Sequence, residues 1–354
     1  MQLRTALPLL VLISIIAACG KSGGGAADST RVTQDSLVEG VPADLERGTG
    51  PEALVQRFAK GDAFGYSIKS VQDVTIKNDT VAEQSMQTVE YRYRFDVLES
   101  RADGSARVRA TCLGVRFDGE YSGTGSKRTM HYDSKETNDA SKEKMFMQYA
   151  APLGTPYEAI LTPQGKVESV SGTDAVIDRL LGSDKKTIAA EGVRRIAADY
   201  SENGLKNVLQ QAFQKLPEYK VATDSTWTHT WAGSLGFLKL QNDAVYTMKG
   251  FQKTPLGRSA VITATMTSRY MGGKRIETGQ GMATVDKFNV RGSGLTLFNV
   301  DTGRPATRKI TQKVSAKFFI EPPAELKQAA PDQARDFWWS QEATIESVVS
   351  TITL

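Results

Sequence analysis

Across residues 89–96 the chain alternates without exception. Val89, Tyr91, Tyr93 and Phe95 are apolar, and Glu90, Arg92, Arg94 and Asp96 between them are charged. A period of two belongs to a strand with one face on a core and the other in water, the pattern of an antiparallel sheet. The same habit recurs between turn signals. Leu54–Ala59 and Phe64–Val71 flank Lys60-Gly61-Asp62, which reads as a hairpin. Ala102-Asp103-Gly104-Ser105 leads into Ala106–Phe117, and Thr162-Pro163-Gln164-Gly165 joins Pro156–Leu161 to Lys166–Val170. A second run follows with Ala244–Phe251, Ser259–Arg269 and a hairpin at Asp301-Thr302-Gly303.

Helical spacing interrupts the strands between the two runs. Thr173 can cap a helix carrying Ile177, Leu180 and Leu181, and a second helix is expected to reach about Tyr200. Ser201 caps a third, with Leu205, Val208, Leu209, Ala212, Phe213 and Leu216 on one face and Pro217 as its stop. The fold class predicted is α+β and β-rich: a large curved antiparallel sheet, half-barrel-like, with a central helical insert over residues 173–216. The second run echoes the first in its order of strands and turns. A duplication around the insert is one reading, and the general likeness of any two meanders is the other.

The N-terminus sets the expected location. Arg4 precedes a short apolar run from Ala6 to Ile16, then Ile16-Ala17-Ala18-Cys19-Gly20. This is the build of a secretory signal, too short for a bilayer span. The cysteine at the cut site looks like a lipobox, which implies cleavage after residue 18 and diacylation of Cys19. Two or more chains hold a protein stably at a membrane, where one holds it only marginally. Gly20, in place of Asp, points to the outer membrane of a bacterial cell envelope. Residues 19–50 then read as a flexible tether, 51–322 as the β-rich domain and 323–354 as a separate tail. In that tail Ile345, Val348, Val349 and Ile352 fit a helix by spacing and a strand by β-branching, and Trp338-Trp339 are expected to dock on the domain, with contact at the membrane interface as the alternative.

Lys+Arg 44 against Asp+Glu 40 leaves a near balance with no long basic run, so nucleic acid is not an expected partner. Two cysteines, one of them Cys19, exclude an intrachain disulfide framework and any C-x-x-C site. There is no G-x-S-x-G elbow, no phosphate-cradling glycine loop and no H-E-x-x-H, since His131 and His229 lie far apart. No catalytic residue, metal ligand or cofactor is expected. Cys112, between Ala110 and Gly114 on an expected core strand, reads as a buried inert thiol. The one candidate ligand-facing strip is Trp227, His229 and Trp231, on one face of a strand with Thr226, Thr228 and Thr230 on the other. Core packing is the plainer reading of that strip.

Several turn and strand-edge motifs carry a resemblance. They are Lys60-Gly61-Asp62 with Tyr66, Tyr132-Asp133-Ser134, and Gly154 to Gly165-Lys166-Val167 with Val170-Ser171-Gly172. Leu216-Pro217 and Asp224-Ser225-Thr226-Trp227 follow the insert. From about Leu54 to Glu321 the chain resembles an uncharacterised group of bacterial envelope lipoproteins, domains of unknown function. Their general shape is similar to the half-barrels of envelope lipoprotein carriers, which implies a hydrophobic cavity but carries over no activity. The expected function is non-enzymatic: a membrane-anchored protein binding a hydrophobic ligand, a glycan or an envelope protein. A structural or assembly lipoprotein and a hydrolase with an unrecognised acidic site are the alternatives.

Overall fold

The computed structural model describes residues 41–354 apart from 43, 80, 124, 137–139, 183–196, 198–199, 236–237, 279–280 and 330–334, and gives only the backbone of 140–142 and 234–235. Cys19, the signal segment and most of the tether lie outside the described residues, as does all but Ala197 and Tyr200 of the second helix expected to end at Tyr200. Among those described, thirteen strands form one open, curved, antiparallel sheet. The first run is β1 (Ala63–Asn78), β2 (Ala82–Ser100), β3 (Ala106–Gly123), β4 (Ser126–Asp133), β5 (Tyr157–Leu161) and β6 (Val167–Ser171). The second is β7 (Thr226–Leu235), β8 (Leu238–Thr254), β9 (Gly257–Tyr270), β10 (Arg275–Thr278), β11 (Gly281–Asn299) and β12 (Arg304–Glu321), closed by β13 (Phe337–Ile352).

Across the sheet the order is β6-β5-β3-β2-β1-β13-β12-β11-β9-β8-β7, with β4 beside β3 and β10 beside β11. With β13 set aside, the five path strands of each half have one order, each strand of the first matched by the strand six later in the second; β4 and β10 depart from it, since β4 pairs with β3 but β10 with β11 rather than β9. Every neighbouring pair is antiparallel, so matched strands also run in the same direction. This is the arrangement that a duplication calls for.

The tail is not separate. Gln341, Ala343, Ile345, Ser347 and Val349 are buried at every second position, and β13 is hydrogen-bonded between β1 and β12 at the centre of the sheet. Its β-branched residues suit a pleated surface with neighbours on both sides, and this outweighs their helical spacing. Trp339 packs on Phe318, whereas Trp338 turns to the opposite face beside Phe319.

Residues 54–59, expected as the first arm of a hairpin, form no strand. Leu54, Gln56 and Phe58 are buried alternately, but as an extended strap across one end of the sheet. Its backbone N–H groups bond to turns rather than to a partner strand. Gln56 donates to Pro163 in the β5–β6 turn at 2.7 Å, and Arg57 donates to Gly303 in the matching β11–β12 turn at 3.2 Å. In a flat sheet those turns would stand about 29 Å apart, six strand spacings. Adjacent residues reach both, so the sheet is strongly curled. The strap begins earlier than the expected end of the tether, because Glu46 already pairs with Phe251 and Glu52 with Val221. Arg258 then clamps the Glu52 carboxylate through two hydrogen bonds of 2.7 and 2.8 Å.

The helical elements are α1 (Ala140–Met145), α2 (Met147–Ala150), α3 (Asp174–Leu181), α4 (Glu202–Ala212) and α5 (Ala324–Ala329). Helices thus occur outside the single expected insert, though α1, α2 and α5 are short. Ser201 caps α4 by accepting from the Gly204 N–H at 3.2 Å. The inner face of the sheet holds two apolar clusters. The first gathers Phe64, Tyr66, Tyr93, Phe95 and Tyr157 under Leu205, Leu209 and Phe213. The second gathers Trp227, Trp231, Tyr246, Met248, Phe298, Phe318 and Ile345. One alternation breaks. Strict period two puts Phe251 on the face of Val245, but a bulge between Met248 and Gly250, with Gly250 at φ +146°, returns Phe251 to the inner core.

Candidate functional site

The aromatic strip lies on β7, the last strand of the sheet path, and faces inward. Asp224 and Ser225 launch the strand, with Asp224 at φ +67°. Trp227 stands opposite Tyr246 in register and stacks on it at 5.6 Å, and its Nε1 donates to the Lys215 carbonyl at 3.3 Å. His229 stacks on Trp231 at 5.3 Å. Trp227 and Trp231 retain only 7% and 5% exposure. Lys215, just beyond α4, covers the strip: its ammonium donates to His229 Nε2 and lies 5.7 Å from the Trp231 ring centre. Burial, then the charges of Lys215 and Lys166, pushes the imidazole down to about 4. His229 is therefore a neutral acceptor at physiological pH. The described surroundings of the strip are those of packed core.

Cys112 is fully buried beneath β3's inner face, its Sγ 3.5 Å from the Gly114 carbonyl. Burial pushes the thiol up to about 12, the condition of an inert cysteine. Among the described residues no group of His, Cys, Asp and Glu is placed to hold a metal ion, and no helix is long and apolar enough to cross a membrane.

A different site lies on the outer face, opposite the helices. Inner positions of β12 are Arg308, Gln312, Val314, Ala316 and Phe318, so the intervening odd-numbered residues point outward. There β1, β11, β12 and β13 line a groove of about 820 Å³. Lys287, Arg291, Lys309 and Lys313 line it together with Asp73 and Glu342, and the remaining outward positions are mostly Ser, Thr and Asn. Asp73 accepts from Gln84 at 3.1 Å and Glu342 from Ser315 at 2.7 Å, so both carboxylates are engaged within the sheet. Gly292 and Gly294 contribute only backbone to its floor: their positions on β11 face inward, where a Cβ would press on Met266 and the Thr311 carbonyl at 3.0 Å and on the Lys309 carbonyl at 3.2 Å.

None of these groove residues was among the sequence candidates. The signal was present in the spacing Lys309, Lys313, Lys317 within an alternating strand, which puts all three cations on one face. A search for contiguous basic runs passes over it.

Among solved structures the chain is similar to lipovitellin, from a study of lipid–protein interactions, at TM-score 0.42 and 8% identity over 82% of this chain. The chain spans about a quarter of that protein, 25% of its length. The translocator domain of the autotransporter NalP from Neisseria meningitidis matches at TM-score 0.22 and 5% identity, covering 83% of this chain and 89% of that one. OccK7 from Pseudomonas aeruginosa matches at TM-score 0.22 and 9% identity, covering 82% and 100%. No curated protein matches the sequence. Residues 117–303, from the middle of β3 to the β11–β12 turn, match the model of a family of unknown function, DUF6263, and the chain belongs to that family.

Proposed function

We propose that the protein is a non-enzymatic binding protein, tethered to the bacterial cell envelope through acylated Cys19, whose ligand lies in the outward groove of β1, β11, β12 and β13. The observation that carries this reading is the groove itself. About 820 Å³ of space on the outer face of the sheet, floored by strand backbone and edged by polar side chains from four strands, is the size of an organic ligand site. The described inner face, by contrast, is occupied by aromatic and aliphatic side chains of the two clusters and by α4. A polar ligand such as a glycan fits the groove's chemistry better than a hydrophobic one. The strap from Glu46 onward holds the end of the tether against the sheet through its pairing with Phe251.

The test is native mass spectrometry of the full chain extracted from purified envelope, beside Ser293→Trp, which fills the groove from an outward position. A co-purifying species on the wild type that is missing from an equally stable Ser293→Trp protein is the expected result. Equal occupancy of the two proteins, or a wild type that carries nothing, overturns the reading. Labelling with a fatty-acid analogue tests the anchor separately. The wild type should incorporate label and Cys19→Ser should not; an unlabelled wild type removes the anchor.

A further inference from the structure

The groove carries a charge arrangement that the fold alone does not favour. The register of β11 on β12 sets Arg291 directly opposite Lys313, and Lys287 directly opposite Lys317. Like charges facing each other across antiparallel strands destabilise the pair. Lys317 is partly offset by Asp286 at 3.3 Å and Lys309 by Glu346 at 2.9 Å. Among the described residues Lys287, Arg291 and Lys313 form no ion pair, and all three are exposed. Cations therefore recur at every fourth residue along each strand, about 13 Å apart. The outward positions next to them are Asn289, Ser293, Thr311 and Ser315.

The column of side chains on β12 continues past the groove to an aromatic surface. Trp338, opposite Phe319 in register, is 40% exposed, and its ring lies 5.1 Å from that of Phe319. Lys317 sits over the Trp338 ring at 4.1 Å. A partly exposed indole that already carries a cation over its ring, next to hydroxyl and amide groups, suits a ring that is apolar on its face, hydroxylated at its edge and linked to an acid group. That is the description of a uronic-type sugar. A single-stranded nucleic acid is a poorer fit, because it needs aromatic platforms for successive bases, and here they stand only at one end.

We propose that the groove binds a segment of an acidic polysaccharide, with carboxylates at the Arg291–Lys313 and Lys287–Lys317 pairs and a sugar ring against the exposed part of Trp338. This inference rests on the groove being the ligand site. The opposed cations are set against each other by the register of the sheet, and an anionic ligand relieves their repulsion.

Isothermal titration of the full chain with oligogalacturonate, its methyl ester and inorganic polyphosphate is the test. The acidic oligomer should bind, and the neutral ester should bind at least tenfold more weakly. Arg291→Gln combined with Lys313→Gln should weaken the acidic oligomer at least tenfold while leaving the melting temperature unchanged or higher, since a repulsion is removed. Trp338→Ala should weaken it several-fold. Equal binding of the ester overturns the charge assignment and leaves the groove reading intact. Polyphosphate bound more tightly than the oligomer, with Trp338→Ala inert, overturns the sugar assignment. If no probe binds, yet Ser293→Trp still removes a co-purified species, the acidic-polysaccharide inference fails alone.

Discussion

Arg308 on β12 donates from Nη1 to the carbonyl of Gln211 at 2.8 Å, and more weakly to that of Gln210 at 3.4 Å. Both carbonyls belong to the last turn of α4, where helix geometry leaves acceptors without intrahelical donors and the helix dipole ends negative. The guanidinium is almost fully buried at 7% exposure, and burial pushes its pKa below the ordinary arginine range. It lies on a polar seam with Thr296, Gln312 and Ser347, between the two apolar clusters. Three glutamines complete the seam. Gln210 Nε2 donates to Gly165 at 2.8 Å, Gln211 accepts from Ser347 at 3.3 Å, and Gln214 accepts from Thr296 at 2.8 Å. The helix is thereby held in one position on the sheet, which apolar contacts alone would leave less sharply defined. Gly165, at φ +73°, is part of the same clamp, since a Cβ there would collide with the Gln214 carbonyl.

Arg308→Met keeps much of the side-chain volume but leaves the two carbonyls without their donor. The expected loss is about 2–4 kcal/mol, the cost of buried acceptors left unpaired. Urea unfolding monitored by tryptophan fluorescence measures it. A loss under about 1 kcal/mol would mean that water or another side chain replaces the guanidinium, and the clamp would lose its role.

Trp227→Ala removes a buried indole that stacks on Tyr246 and donates to Lys215. The expected cost is about 3–5 kcal/mol, as for other large buried aromatics. Any ligand should be lost only in proportion to unfolding. A variant that keeps its melting temperature and loses a bound species would reassign the strip from core to pocket.

His229 contributes a definite pH dependence. Its folded pKa, about 4, lies below the ordinary 6.5, so the unfolded chain binds the proton more readily. The contribution is fully present above pH 6.5 and is lost as pH falls toward 4. With allowance for partial solvent exposure, the loss is on the order of 1–2 kcal/mol. Unfolding free energies at pH 7 and pH 4.5 for wild type and His229→Asn isolate it, because the carboxylates titrate equally in both. Identical pH differences in the two proteins would show that the imidazole does not carry the effect.

Cys112 should react slowly with a thiol reagent in the native protein and quickly in denaturant. Its buried thiol, pushed up to about 12, supplies almost no thiolate at neutral pH. Native labelling at the rate of a free cysteine peptide would show that this part of the inner core opens readily.

Much of the fold was legible in local sequence because strand alternation and turn chemistry are local. Tyr91-Arg92-Tyr93-Arg94-Phe95 marks β2, and Thr162-Pro163-Gln164-Gly165 marks the β5–β6 hairpin. Ser201 with the Leu205–Leu209 stripe marks α4. The matched order of the two runs was also visible, as a repeated succession of strands and turns. The errors came where a local pattern had two tertiary uses. Leu54, Gln56 and Phe58 alternate as a strand would, but the turns of the curled sheet offered them hydrogen-bond partners, so they became a strap. Ile345, Val348, Val349 and Ile352 carry two periodicities, and the open place between β1 and β12 selected the strand. Phe251 changed face through a single bulge at Gly250.

The chain by itself determined the strands and turns of the sheet and the capped helix, and it marked Trp227, Trp231 and Cys112 as inward positions, since each follows from neighbours along the sequence. Only the tertiary structure decided where the cations of the outer face meet. Lys287 and Arg291 lie some twenty to thirty residues from Lys313 and Lys317 in sequence and face them only through the register of β11 on β12. Charge balance over the whole chain conceals such a site. A sheet sorts residues by face and register, so charges that are dispersed along a sequence become adjacent once the strands pair.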